Sequence, residues 1–197
     1  MEFEKASHYI QEVLKTQLSP LLFYHSYDHT MGVLKAAVEI ANNENIQSEE
    51  DLILLKTAAL YHDCGFINAY ENHTEEAACV IVNEVLPGFG YNRAQIEIIC
   101  QLIMKTKMPQ QPETHLEKIL CDADLSYLGH DNFVKIGNKL FQELNAMGKS
   151  IDEKEWNIMQ IDFLQTHHYW TATAISNREK IKAEHLKRLQ EMVLINK

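Results

Sequence analysis

Apolar residues recur along almost the whole chain at three- and four-residue intervals, the period of a helix that turns one face to a core. Over residues 3–17 these positions are Phe3, Ile10, Val13 and Leu14. A second helix is predicted from about Tyr27 to Ala41, through Met31, Leu34, Val38 and Ile40. The next opens at Ser48-Glu-Glu-Asp51, where a hydroxyl can satisfy an orphan amide of the first turn. Leu52, Leu55, Ala59 and His62 then share one face, so His62 closes an apolar stripe and should point inward. Thr74 begins a helix that ends near Pro87-Gly88. Residues 91–106 carry Ile96, Ile99, Cys100 and Ile103 on one side and stop before Pro109. Thr114…Glu117 is a further capping-box start, opening a segment 116–128 that ends at Gly129. Helices near 131–147, 151–174 and 178–194 complete the chain, the last two with starts expected at Ser150…Glu153 and Ser176…Glu179. With no internal repeat, low-complexity tract or linker, the pattern predicts one all-α domain over residues 1–197.

Composition narrows this picture. Of 197 residues, 46% are apolar and 23% charged, the balance of an ordinary globular domain with room for a sizeable core. Only 7 Gly and 4 Pro leave too few turns for an all-β fold. A formal net charge of −10 argues against a nucleic-acid polymer as partner, because phosphate backbones are held by clustered Lys and Arg. An acidic protein that handles a phosphate must overcome its own field locally, and a metal ion does so. The four cysteines, Cys64, Cys79, Cys100 and Cys121, are scattered through apolar stretches without C-x-x-C spacing, which points to a reducing, cytoplasmic setting. The start of the chain lacks the pattern of a signal peptide, and no stretch has the length of a membrane span.

The chemistry lies in three places. Tyr24-His25-Ser26-Tyr27-Asp28-His29 brings two histidines four apart, which share a face if both are helical. His62-Asp63 places an imidazole and a carboxylate side by side where a helix stops against Gly65. Asp122-Ala-Asp124 offers a carboxylate from a third helix. Imidazole and carboxylate without thiolate suit Mn, Zn, Fe, Ni or Mg, as one or two ions. Three or four protein ligands also leave positions for water. Between the two aspartates the helix face decides. Asp124 has Leu120, Cys121, Tyr127 and Leu128 at i±3 and i±4, so it faces inward and must be paired or metal-bound. Asp122, beside Lys118, Ile119, Leu125 and Ser126, reads as a supporting group or a salt-bridge partner of Lys118.

In this order and on these helices, the elements resemble the H…HD…D ligand set of the HD superfamily of metal-dependent phosphohydrolases. The match is His29, His62, Asp63 and Asp124, with His-Asp-Cys-Gly65 as a variant of the family's H-D-I-G and residues 122–129 similar to its closing D-A-D-x-L element. The resemblance covers about residues 20–130 and implies an HD-type helical bundle completed by helices within 131–197. It further implies a divalent metal at His29, His62, Asp63 and Asp124 and hydrolysis of a phosphoester, that of a nucleotide, by metal-activated water. Asp63 would bridge a second ion where one is present. His25, one turn before His29, would protonate the leaving oxygen. His73, at a helix start, and Lys107, at a helix end, would steady the phosphate.

Other readings follow from other residues. The Tyr24-His25…His29 spacing and Ala123-Asp-Leu-Ser126 are similar to elements of class I cyclic-nucleotide phosphodiesterases, although Ser26 stands where their Asn does and no purine-clamping glutamine is identifiable. A non-catalytic metal-bound sensor or interaction module is the more distant alternative, and a metal-dependent oxygenase on the same scaffold more distant still. His167-His168-Tyr169-Trp170 reads as an aromatic packing patch or pocket wall, since neighbours on a helix point about 100° apart. His8, His115, His130 and His185 lie in polar surroundings and are expected to be solvated, and Asp28 reads as a helix-start acid or a group supporting the ligands rather than a ligand itself. After His62-Asp63 no E-D pair of the alarmone-hydrolase kind follows, nor is there a G-Y-P element, a Walker loop or a nucleophile elbow.

Overall fold

The structure, a computed structural model, describes residues 1–69 and 74–195. Its helices are α1 (Phe3–Gln17), α2 (Tyr27–Asn43), α3 (Glu49–Tyr61), α4 (Thr74–Val85), α5 (Arg93–Met104), α6 (His115–Asp124), α7 (Phe133–Ala146), α8 (Glu153–Thr166) and α9 (Ala172–Ile195). Short 3-10 turns follow α3, α4 and α6 at Cys64–Ile67, Leu86–Phe89 and Ser126–Gly129. Among the described residues there is no strand, and the fold is all-α. No helix among them is long and apolar enough to cross a membrane.

The helix starts are set by side-chain caps. Ser48 Oγ accepts from Asp51 N at 3.1 Å, and Thr114 and Glu117 form a reciprocal capping box. Asn92 and Gln95 form a second such box. The start expected at Ser150…Glu153 is displaced: Ser150 adopts a left-handed φ of 52°, and Asp152 caps α8 with Glu155.

The helix expected over 151–174 is broken, and the next begins at Ala172 rather than near 178. Two tertiary contacts cause the break. Lys182 Nζ donates to the His167 carbonyl at 2.6 Å, and buried Asp122 accepts from the amides of Trp170 (2.9 Å) and Thr171 (2.8 Å). Thr171 Oγ1 also donates to Asp122 (2.7 Å) and accepts from Ala174 N, capping α9. Asp122 thus anchors the entry to α9, rather than pairing with Lys118 or supporting the metal ligands.

α1–α6 enclose the main core, in which Ile10, Leu54, Leu55, Ile99, Ile103 and Ile119 are inaccessible or nearly so. Each such side chain contributes about 1.5–3 kcal/mol of burial energy. A second, smaller cluster joins Leu125 and Leu128 to Phe133, Leu164, Tyr169, Ala174 and Leu189. His185 belongs with this layer. Against expectation it is buried, stacked on Phe133 with ring centres 4.7 Å apart and hydrogen-bonded through Nε2 to the His130 carbonyl at 2.8 Å. Its polar sequence neighbours face solvent while its own helix face does not. His8, His115 and His130 are exposed. Tyr169 lies in the same cluster with its hydroxyl on the Leu125 carbonyl, and the rings of His168 and Trp170 pack 4.1 Å apart, so residues 167–170 form an aromatic patch in extended chain.

Two glycines permit close approach. A Cβ on Gly65 would lie 1.8 Å from the Thr74 carbonyl oxygen, so the turn after Asp63 can press against the first turn of α4. A Cβ on Gly129 would lie 2.4 Å from Arg178 Cβ, so α9 packs directly on the turn that follows α6.

Candidate metal centre and active site

His29 is the third residue of α2, held at the capped start where Ser26 Oγ faces its amide. His62 and Asp63 end α3 at the junction with the Cys64–Ile67 turn, and Asp124 is the last residue of α6. α2 packs against both α3 and α6, and this brings three helix ends to one point. His29 Nε2 lies 3.3 Å from Asp63 Oδ2 and 3.3 Å from Asp124 Oδ1. His62 Nε2 lies 3.1 Å and 3.6 Å from the same two atoms. Donor atoms of His29, His62 and Asp124 all fall within 4.8 Å of one another.

These contacts are short but lack hydrogen-bond geometry. His29 Nε2, His62 Nε2 and Asp63 Oδ2 are all buried without a hydrogen-bond partner among the described residues. Buried polar atoms are rarely left so. His62 Nδ1 sits 2.9 Å from the Ala59 carbonyl, which can only accept. Nδ1 therefore carries the hydrogen, and in the neutral ring the Nε2 lone pair points into the cluster. Two imidazole nitrogens and two carboxylates converging on one buried point fit a divalent cation.

The electrostatics of the four groups are mutual. Burial by itself lowers the pKa of both histidines, yet Asp63 and Asp124 outweigh it and hold both above the usual range, His62 well above. Burial likewise raises the carboxylates, and the facing imidazoles hold Asp63 well below, and Asp124 below, the ordinary carboxylate value. Asp122 goes the other way. Burial pushes it up, and the donors from Thr171 and Trp170 only partly oppose this.

His25 reaches the site by a different route from a shared helix face. It precedes α2, in a bend, and its ring centre lies 6.1 Å from that of His29. Glu143 of α7 holds it there. One carboxylate oxygen contacts His25 Nδ1, and the other accepts from the amides of Tyr24 (2.7 Å) and His25 (3.0 Å). The ring stacks on Phe66 at 4.1 Å. Tyr24 in turn packs against His29 and Tyr127.

Two cavities open on the cluster and share Tyr24, Asp124 and Tyr127 as a common wall. One, of about 310 Å³, is an apolar chamber with His25, Asp63 and Phe66 at one end and Phe133, Trp156 and Phe163 at the other. The second, of about 420 Å³, is the more polar of the two and bounded by α2, α7 and α9. Lys107 lines neither; it is ion-paired with Glu76 of α4. His73 lies outside the described residues. Glu143, Trp156 and Gln160 are site residues that sequence reasoning missed. Glu143 sits on amphipathic α7 and the other two on α8, where only Trp156 and Leu164 are buried; no motif surrounds them, and only the folding of α7 and α8 over the chamber brings them in.

The HD domain family model matches residues 26–126, just over half of the chain and including all four converging residues. The chain belongs to the HD domain family. Among solved structures it is similar to Bacillus subtilis YpgQ, crystallised in complex with ADP, at 20% identity and a TM-score of 0.65, covering 97% of this chain and 96% of that one. It is also similar to a predicted HD superfamily hydrolase from an uncultured Thermotogales bacterium (20% identity, TM-score 0.60, 98% and 92% covered). A third likeness is to the Lin1889 protein of Listeria innocua (18% identity, TM-score 0.64, 96% of each chain). These likenesses extend the HD fold beyond the matched segment to α7–α9. No curated protein matches the chain by sequence.

Proposed function

We propose that this HD protein is a metal-dependent phosphohydrolase acting on a phosphoester, with His29, His62, Asp63 and Asp124 as metal ligands. The observation that carries the reading is the set of buried atoms His29 Nε2, His62 Nε2 and Asp63 Oδ2, without hydrogen-bond partners among the described residues, where Asp63 opens on the apolar chamber and His29 on the second cavity. A bound divalent ion supplies Lewis acidity there, polarising a phosphoryl oxygen and acidifying water. The chain's own residues do the rest. Glu143 fixes the Nδ1 proton of His25 and so leaves Nε2 as the ring atom for proton transfer to the leaving oxygen. Phe66 holds that ring in plane. The apolar walls exclude bulk water and accept the organic part of the substrate, where Trp156 Nε1, buried without a partner among the described residues, offers a hydrogen bond. Lys107 would reach a phosphate only by giving up Glu76.

A nucleotide fits this division, and the ADP bound by YpgQ supports it. The narrower reading, a 3′,5′-cyclic-nucleotide phosphodiesterase, is favoured by Gln160, a chamber-lining amide able to read a base edge.

The test is metal content of the purified protein, paired with turnover of a generic phosphodiester and of linear and cyclic nucleotides, for wild type and Asp63→Ala. Metal and turnover should both be present in wild type and lost in Asp63→Ala. Metal without turnover on any phosphoester would overturn the hydrolase in favour of a sensor, and absence of metal after reconstitution would overturn the site.

A further inference from the structure

The polar cavity beside the metal cluster is lined by cations from three helices: Lys35 of α2, Lys135 and Lys139 of α7, and Arg178 of α9. Lys135 and Lys139 are one helical turn apart and so present the same face. Among the described residues, none of the three lysines makes an ion pair. Arg178 is under-matched: it is only 4% exposed, its Nε has no partner among the described residues, one terminal nitrogen meets His130, and the other reaches Glu39 only at 3.5 Å. Asp28 and Glu39 are the remaining acids on the wall besides Asp124 of the metal cluster.

Like charges gathered around one hollow repel, and a buried guanidinium with idle donors is costly. In a chain of net charge −10, Lys35 and Lys135, both exposed, and half-buried Lys139 line one hollow without an ion pair among the described residues. An anion in the cavity resolves both costs, and guanidinium and ammonium groups suit phosphoryl oxygens.

We propose that this cavity is a second anion subsite, holding a phosphoryl group of the substrate other than the one attacked at the metal. The preferred substrates then carry at least two phosphoryl groups, with the organic part in the apolar chamber and the distal phosphate against Lys135, Lys139 and Arg178. The inference rests on the phosphohydrolase reading above and specifies its substrate class.

The test uses inorganic pyrophosphate as probe, titrated calorimetrically into the 197-residue chain in EDTA at low ionic strength, so that no metal ion holds the probe. Lys135→Gln/Lys139→Gln should bind pyrophosphate about tenfold or more weakly than wild type. Lys154→Gln/Lys180→Gln, with the same charge change on exposed surface elsewhere, should bind as wild type does. Equal affinity in the first variant, equal weakening in both, or no binding by wild type would each overturn the subsite. Pyrophosphate binding lost only in the first variant, in a metal-loaded protein that hydrolyses no phosphoester, upholds the anion site and places the failure in the hydrolase reading.

Discussion

Glu143 and His25, 118 residues apart in the chain, meet as a buried carboxylate and the imidazole it orients. The carboxylate is 2% exposed and also receives the two backbone amides that carry the histidine into the site. It therefore fixes where the ring sits and leaves Nε2 as the nitrogen that can exchange a proton with the site.

Glu143→Gln should accordingly lower kcat about 10- to 100-fold on any phosphoester the protein hydrolyses, while metal content stays at the wild-type level. Steady-state kinetics alongside metal analysis checks this. A parallel loss of metal would mean that Glu143 supports the cluster rather than the acid.

Gly65→Ala should destabilise the fold by about 2–4 kcal/mol, because a methyl group 1.8 Å from the Thr74 carbonyl must push α4 away from the turn after Asp63. Gly32→Ala is the control. Its Cβ meets nothing within 4 Å in the interior of α2, so it should stabilise by about 0.5–1 kcal/mol through helix propensity. Denaturant melts distinguish a steric cost at Gly65 from a general cost of replacing glycine.

His167 gives the protein an acid sensitivity. Burial, assisted by Lys182, lowers its pKa from 6.5 to about 3. The unfolded chain therefore takes up a proton near pH 6.5 that the folded protein refuses until about pH 3. Stability from this residue is complete above 6.5 and declines as pH falls through that window. Between pH 7 and 5 the loss should be about 1–2 kcal/mol, and His167→Gln should flatten that part of the stability profile. Identical slopes in the two proteins would remove His167 as the cause.

Divalent metal should raise the melting temperature and chelator should lower it, since an ion that binds only the folded cluster adds about 2.7 kcal/mol at a hundredfold excess over Kd. Asp63→Ala should show no metal-dependent shift. A thermal scan across Mn, Zn, Fe, Ni and Mg would also rank the ions.

The fold is legible in the chain where local rules govern. Capped starts at Ser48 and Thr114 and inward stripes along α3 and α5 follow from nearest neighbours, and the flanking residues of Asp124 suffice to turn it inward, where it meets His29 and His62. What was missed depends on distant chain. The break at 167–171 contains no glycine or proline and exists because Asp122 and Lys182 draw the backbone out of helix. His25 looked like one face of α2, yet it is placed by a carboxylate on α7. Glu143 and Gln160 have no local signature, since their meaning comes from what α7 and α8 fold against.

The common wall of Tyr24, Asp124 and Tyr127 separates two tasks by chain segment. All four metal-directed groups come from residues 29–124, whereas the floor of the chamber, the tether of His25 and most of the cations come from residues 133–178. On the proposed function, substitution within α7–α9 should exchange one phosphorylated molecule for another while His29, His62, Asp63 and Asp124 stay as they are. A chimera carrying the last three helices of a relative should inherit that relative's appetite while keeping this chain's chemistry.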